Sequence, residues 1–144
     1  MLSCTLLRST YGVPIPGHVL AERMGSHLHL YNLNGHSRPY GTGTLLATHD
    51  AKRGHALYLL ETSGTANRFF GTAIGKHRQA AKNEIEKLKL GEMTCGEALL
   101  PVAKMFLSQR DDQKEHEIEM AWLTEETEWQ FRQVWLGHSV LLNV

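Results

Sequence analysis

Residues 71 to 95, GTAIGKHRQAAKNEIEKLKLGEMTC, open on glycines and a lysine and pass into a charged, helix-like run. Two readings compete for that opening. A phosphate-cradling loop needs Gly, four spacers, then Gly-Lys-Ser or Gly-Lys-Thr, because its amides wrap the phosphates and its hydroxyl holds a metal. Gly71 and Gly75 are too close together for that loop, and His77 stands where the hydroxyl belongs. The stretch is therefore read as a strand-to-helix turn built on glycines rather than as a nucleotide site. From Lys76 onward Ala81, Ile85 and Leu88 fall on one helix face, with Arg78, Lys82, Glu86 and Lys89 on the others. Gly91 supplies a stop. Thr94 and Glu97 then carry the capping-box spacing that starts a second helix, whose apolar face is Ala98, Leu99, Val102, Met105 and Phe106. Pro101 lies inside that helix, where a lost donor and a ring clash cost about 3 kcal/mol unless the helix kinks, so a kink is expected.

Upstream, Pro14 and Pro16 precede Val19, Leu20, Met24, Leu28 and Tyr31, which recur at helical spacing as far as Asn34-Gly35. Beyond Pro39 the runs GTGTLLATHD, HALYLLET and NRFFGTA, separated by AKRG and SGTA, predict strands joined by turns over residues 42 to 73. Downstream, HEIEMAWL and EWQFRQV both alternate polar with apolar residues around the turn-like TEET, which predicts a closing antiparallel hairpin. The run QRDDQKEHEIE reads as a solvated connection. The order is helix, sheet, two helices, sheet. Segregated runs of this kind predict an α+β layered domain rather than a doubly wound α/β one.

With 144 residues the chain has room for one domain. Its 15 basic and 15 acidic residues cancel, so no sequence-wide field draws it to nucleic acid or to an anionic membrane. No apolar run approaches the roughly 18 residues of a spanning helix. Cys4 and Cys95 are too far apart for a local metal knuckle and too few for a disulfide framework, which favours reduced thiols and a cytoplasmic or nuclear protein. No basic residue precedes the brief apolar patch of MLSCTLLRST and Arg8 interrupts it, so a signal peptide is not expected. Nine histidines raise the question of a metal. His27 and His29 point apart on a helix, and no His-Glu-x-x-His spacing exists, so the histidines are read as solvated or interface residues.

The opening stretch also resembles the third-helix segment of proteasome α-type subunits, most closely the branch at the seventh ring position. The likeness runs through Ala73-Ile74-Gly75-Lys76, Arg78-Gln79-Ala80-Ala81-Lys82, Glu84-Ile85-Glu86-Lys87-Leu88 and Glu92-Met93-Thr94-Cys95. YGVPIPGHVLAERM is similar to the start of that family's second helix, Arg38-Pro39-Tyr40-Gly41 to its next strand opening, and EHEIEMAWL to a late strand. The resemblance covers residues 11–134, leaving 1–10 as an unmatched extension and 135–144 as an unmatched tail. It implies the C-terminal half of a proteasome α-type domain: a partial αββα sandwich of the N-terminal nucleophile hydrolase fold, incomplete at both ends.

The implied role is structural. Subunits of this type build the outer rings of the 20S core, which degrades ubiquitinated and unfolded proteins, with other α subunits, β subunits and regulatory particles as partners. Catalytic relatives use a threonine at the mature N terminus, whose own amine activates its hydroxyl. This chain starts with Met1, and its Gly-Thr pairs, Gly41-Thr42, Gly43-Thr44, Gly64-Thr65 and Gly71-Thr72, fall inside expected strands or turns. No catalytic residue, cofactor or metal is expected. Lys76, His77 and Arg78 crowd the positive end of a helix dipole, and with Lys82 they are the candidate subunit-contact residues, awaiting an acidic neighbour. The alternatives are a stand-alone N-terminal nucleophile hydrolase, which a free Thr, Ser or Cys at the mature N terminus would favour, and a non-functional truncated product.

Overall fold

A computed structural model describes residue 12 and residues 14–108 and 118–134. The solvated connection expected after Ser108 lies mostly outside these residues, as do Cys4 and both unmatched ends. The chain divides into two compact units between Phe70 and Gly71.

In the first unit, helix α1 spans Gly17–Leu33 and starts behind Pro16, whose carbonyl accepts the Leu20 N–H at 3.0 Å. A proline suits this place, since its missing N–H would go unused at a helix start. Asn34 ends the helix by donating its N–H to the Leu30 carbonyl. The strands β1 (Thr44–Asp50), β2 (Gly54–Leu60) and β3 (Ala66–Phe69) form an antiparallel meander in the order β1-β2-β3. Asp50 braces the turn of the first hairpin, its carboxylate accepting the Lys52 N–H at 2.9 Å, and Gly54 closes it at φ 71°. A left-handed closing residue suits glycine, which has no Cβ to clash.

Alternation then assigns the faces. Leu46, Tyr58, Leu60 and Ala66 point to α1 and pack with Ala21, Met24 and Leu28, and Leu60 is wholly buried. The expected helix face is present in Leu20, Met24 and Leu28, but its closest contacts are made by Gly17 and Gly25, both buried. A Cβ on Gly17 would strike the Thr48 side chain of β1, and one on Gly25 would strike the Gly64 carbonyl in the β2–β3 turn. The other face of the sheet leaves Leu45 exposed and Leu57 half-covered. The sheet ends earlier than residue 73, because Phe70 is 92 % exposed and the alternation stops at Phe69.

The second unit contains α2 (Arg78–Glu86), α3 (Cys95–Ser108) and a hairpin of β4 (Met120–Trp122) and β5 (Arg132–Val134). Helix α2 starts at Arg78 rather than Lys76, with His77 as its N-cap residue. Leu88 lies past its end, where its N–H donates to the Ile85 carbonyl in a tightened final turn. Between β4 and β5 the short 3₁₀ turn Glu125–Thr127 is held by reciprocal bonds: the Thr124 N–H donates to the Thr127 hydroxyl, which donates to the Thr124 carbonyl. Both expected helices and the expected hairpin are present, and the chain is α+β.

The capping box of α3 forms as its spacing predicts. The Glu97 N–H donates to the Thr94 hydroxyl, while Glu97 Oε2 accepts the Thr94 N–H at 2.7 Å and its hydroxyl at 2.9 Å. These bonds, the backbone one foremost, hold the Glu97 carboxyl below its ordinary pKa of 4.5. A lowered folded-state pKa means that the contribution is complete above about pH 4.5 and lost as pH falls through the folded value. Circular dichroism is expected to show helicity declining in that window, and Glu97→Gln should remove that component. Thr94→Ala is expected to cost about 1 kcal/mol.

Helix α3 runs through Pro101, and only Ala103 is buried along it. Its apolar side differs from the expected one at Phe106, which is 61 % exposed. Because Pro101 removes one helical donor, Pro101→Ala is expected to stabilise α3 by about 1–3 kcal/mol, visible as a higher melting temperature.

Candidate subunit-contact surface

The turn from Phe70 to Arg78 uses its glycines for two different reasons. Gly75 adopts φ 104°, a backbone state that side chains disfavour. Gly71 is needed for space: a Cβ there would come within 2.6 Å of Leu90 Cδ1 and 2.8 Å of Ile85 Cγ2. The first glycine therefore lets the end of α2 and its following turn close over the chain, and the second aims the chain into the helix.

That geometry puts Lys76, His77 and Arg78 together, all exposed, at the N-terminal end of α2. The first turn of the helix carries no acidic residue, and His77 makes no side-chain cap. Among the described residues neither Lys76 nor Arg78 has an ion pair. The charges at the other end of α2 behave differently, with Lys87 paired to Glu84 and Lys89 to Glu92 at 3.7 Å. Lys82 stands apart from the exposed three: it is half-buried and already engaged in the fold. The expected cluster is thus brought together for three residues, with Lys82 one helical turn behind. Ile74, 42 % exposed, adds an apolar element beside the cations.

His27 and His29 diverge as their spacing predicts. The His27 ring meets Tyr31 edge-on at 5.2 Å, whereas His29 Nδ1 lies 3.0 Å from the Ser63 carbonyl. Tyr31 in turn meets Tyr40 at 4.8 Å, and the side-chain hydrogen bond between them, foremost, raises the Tyr40 pKa. This aromatic row pins the approach to β1 against α1, and nothing in the spacing of Tyr31 and Tyr40 signals it. Among the described residues no group of three or more His, Cys, Asp or Glu side chains converges. Cys95 is exposed as a free thiol. No described helix is long and apolar enough to cross a membrane.

Comparison with known proteins gives this geometry its context. A family model described as proteasome subunit matches residues 2–123. The chain is 44 % identical over 132 residues to proteasome subunit alpha type-3 of Spinacia oleracea, covering 90 % of this chain and 53 % of that protein. It is 48 % identical over 125 residues to proteasome subunit alpha type-3 of Acanthamoeba castellanii, covering 85 % and 49 %. Against a probable proteasome subunit alpha type-7 of Schizosaccharomyces pombe the identity is 39 % over 125 residues, covering 85 % and 49 %. The chain thus spans about half the length of the curated relatives it matches. Its helices and antiparallel sheets are the α+β content of a partial N-terminal nucleophile hydrolase fold. The match takes in both helices of the second unit, the three-stranded sheet and the turn that carries the cations, and on that ground the chain belongs to the proteasome subunit family.

Proposed function

We propose that this chain is a non-catalytic structural component of the α ring of the 20S proteasome core, acting through contacts with other α and β subunits. Residues 11–134 correspond in this reading to the C-terminal half of an α-type domain. The observation that carries it, beyond family membership, is the set of exposed cations Lys76, His77 and Arg78 at the start of α2, which the described residues leave without an acidic partner. A helix N-terminus attracts anions, so cations placed there are relieved by a carboxylate from outside. Lys82, half-buried one helical turn behind them, completes the proposed contact set.

Catalysis has no support in the threonines available. Thr44 begins β1, so cleavage to expose it would sever α1 from the sheet it packs on, and Thr65, whose carbonyl accepts the Glu61 N–H at 2.9 Å, lies in the β2–β3 turn, where cleavage would cut the sheet. Regulatory particles would be met only through an assembled ring, and the setting is cytoplasmic and nuclear.

A tagged chain expressed in cells is expected to co-purify with intact core particles. Lys76→Glu with Arg78→Glu should reduce that recovery severalfold, because a cationic contact becomes a repulsive one. Full recovery of the doubly reversed chain would assign these cations to solvent, and a wild-type chain found only alone would refute the scaffold role.

A further inference from the structure

The strand register brings together two histidines that the sequence keeps apart. His49 near the end of β1 stands directly opposite His55 near the start of β2. Directly opposed residues of an antiparallel pair share a face and hold their Cβ atoms about 4.5–5.5 Å apart. We propose that His49 and His55 form a chelating site for one borderline divalent transition ion, Zn²⁺ being the probe ion, with water in the remaining coordination positions.

The chemistry of the surroundings favours such an ion. His55 is exposed and His49 half-buried, so the pair has one side open to water and one side against protein. Along the same face the next register pair is Ala47 with Leu57, followed by Leu45 with Leu59, and Phe69 stands opposite Leu57 on β3. Imidazole pairs select zinc, copper or nickel over magnesium and calcium, which prefer oxygen. The short loop keeps both rings on a rigid hairpin, because Gly54 and the Asp50 carboxylate fix its turn. Binding of the first ring therefore presents the second at high effective concentration, a gain of about 10²–10⁴ over independent sites.

Histidine footprinting of the full chain with diethyl pyrocarbonate, read by peptide mass spectrometry, tests this at low protein concentration. Zinc is expected to protect His49 and His55 together, at concentrations that leave the exposed His27 and His36 reactive, and magnesium should protect neither. In His49→Gln, protection of His55 should require at least about tenfold more zinc, and His55→Gln should do the same to His49. The second variant changes an exposed position, so it reports even where the first perturbs folding. Protection that persists at unchanged zinc in either variant overturns the site, as does its absence in the wild type at millimolar zinc.

Discussion

Heated alone, the purified chain is expected to lose its structure without a sharp cooperative transition above about 55 °C, inside the usual mesophile range, and to bind hydrophobic dyes or aggregate beforehand. The reason lies in what the two units leave open. Phe70, Phe131, Leu33 and Leu30 are between 60 % and 92 % exposed, whereas the buried apolar residues described are Leu20, Ala21, Leu28, Leu59, Leu60 and Ala103. At about 25 cal/mol per Å², some 400 Å² of apolar surface left uncovered forfeits about 10 kcal/mol. That is comparable with the whole net stability of a typical domain, about 5–15 kcal/mol. Among the described residues β1 and β3 are the outer strands of their sheet, and β1 carries no proline or lysine to discourage pairing with another chain. Supplying the N-terminal half of an α type-3 relative as a separate polypeptide is expected to raise the soluble yield and the melting temperature together. A single sharp transition of the lone monomer above about 55 °C would show that these faces need no cover.

Within the first unit, Gly25→Ala is expected to be strongly destabilising for the addition of one methyl group, costing about 3 kcal/mol or more. Gly25 and Gly64 approach backbone to backbone: a Cβ on Gly25 would strike the Gly64 carbonyl, and one on Gly64 would fall 2.6 Å from the Gly25 carbonyl and 2.7 Å from His29 Cβ. Neither partner is a flexible side-chain end. The turn is held there by three further bonds: His29 Nδ1 to the Ser63 carbonyl at 3.0 Å, Asn32 Nδ2 to the Thr62 carbonyl at 2.7 Å, and the Gly64 N–H to the Glu61 carbonyl at 2.9 Å. Gly64→Ala adds backbone strain of about 1–2 kcal/mol, since Gly64 adopts φ 93°. Gly35→Ala is the control, with no atom within 4 Å of its added Cβ, and is expected to be neutral or stabilising. Urea unfolding, with soluble yield where unfolding is too broad to fit, separates the three. Equal behaviour of Gly25→Ala and Gly35→Ala would mean that the clasp between α1 and the β2–β3 turn yields at little cost.

Much of this architecture was readable along the chain because its signals are local. Helix α1 followed from Leu20, Met24 and Leu28 at helical spacing, α3 from the pairing of Thr94 with Glu97, and the closing hairpin from alternation on both sides of TEET. Each depends on neighbours within one turn or one pleat, which are fixed by sequence separation alone. The glycine-lysine opening at residue 71 could be refused as a phosphate loop for the same reason, and the family was legible because the segment from Ala73 to Cys95 is a long match.

Tertiary structure decided the rest, wherever a residue's role is set by a partner distant in sequence. Gly17 and Gly25 carry no hydrophobic signal, yet they occupy the buried face of α1 because Thr48 and Gly64 arrive there from elsewhere. Lys82 and Arg78 look alike in a helical projection, but Lys82 is half-buried and engaged while Arg78 is exposed. The end of β3 at Phe69, the contact of Tyr31 with Tyr40 and the opposition of His49 to His55 depend likewise on register and packing. Periodicity places a residue on a face. Only the folded chain determines what that face meets, because close approach is set by the arrival of a second segment whose position no local spacing encodes.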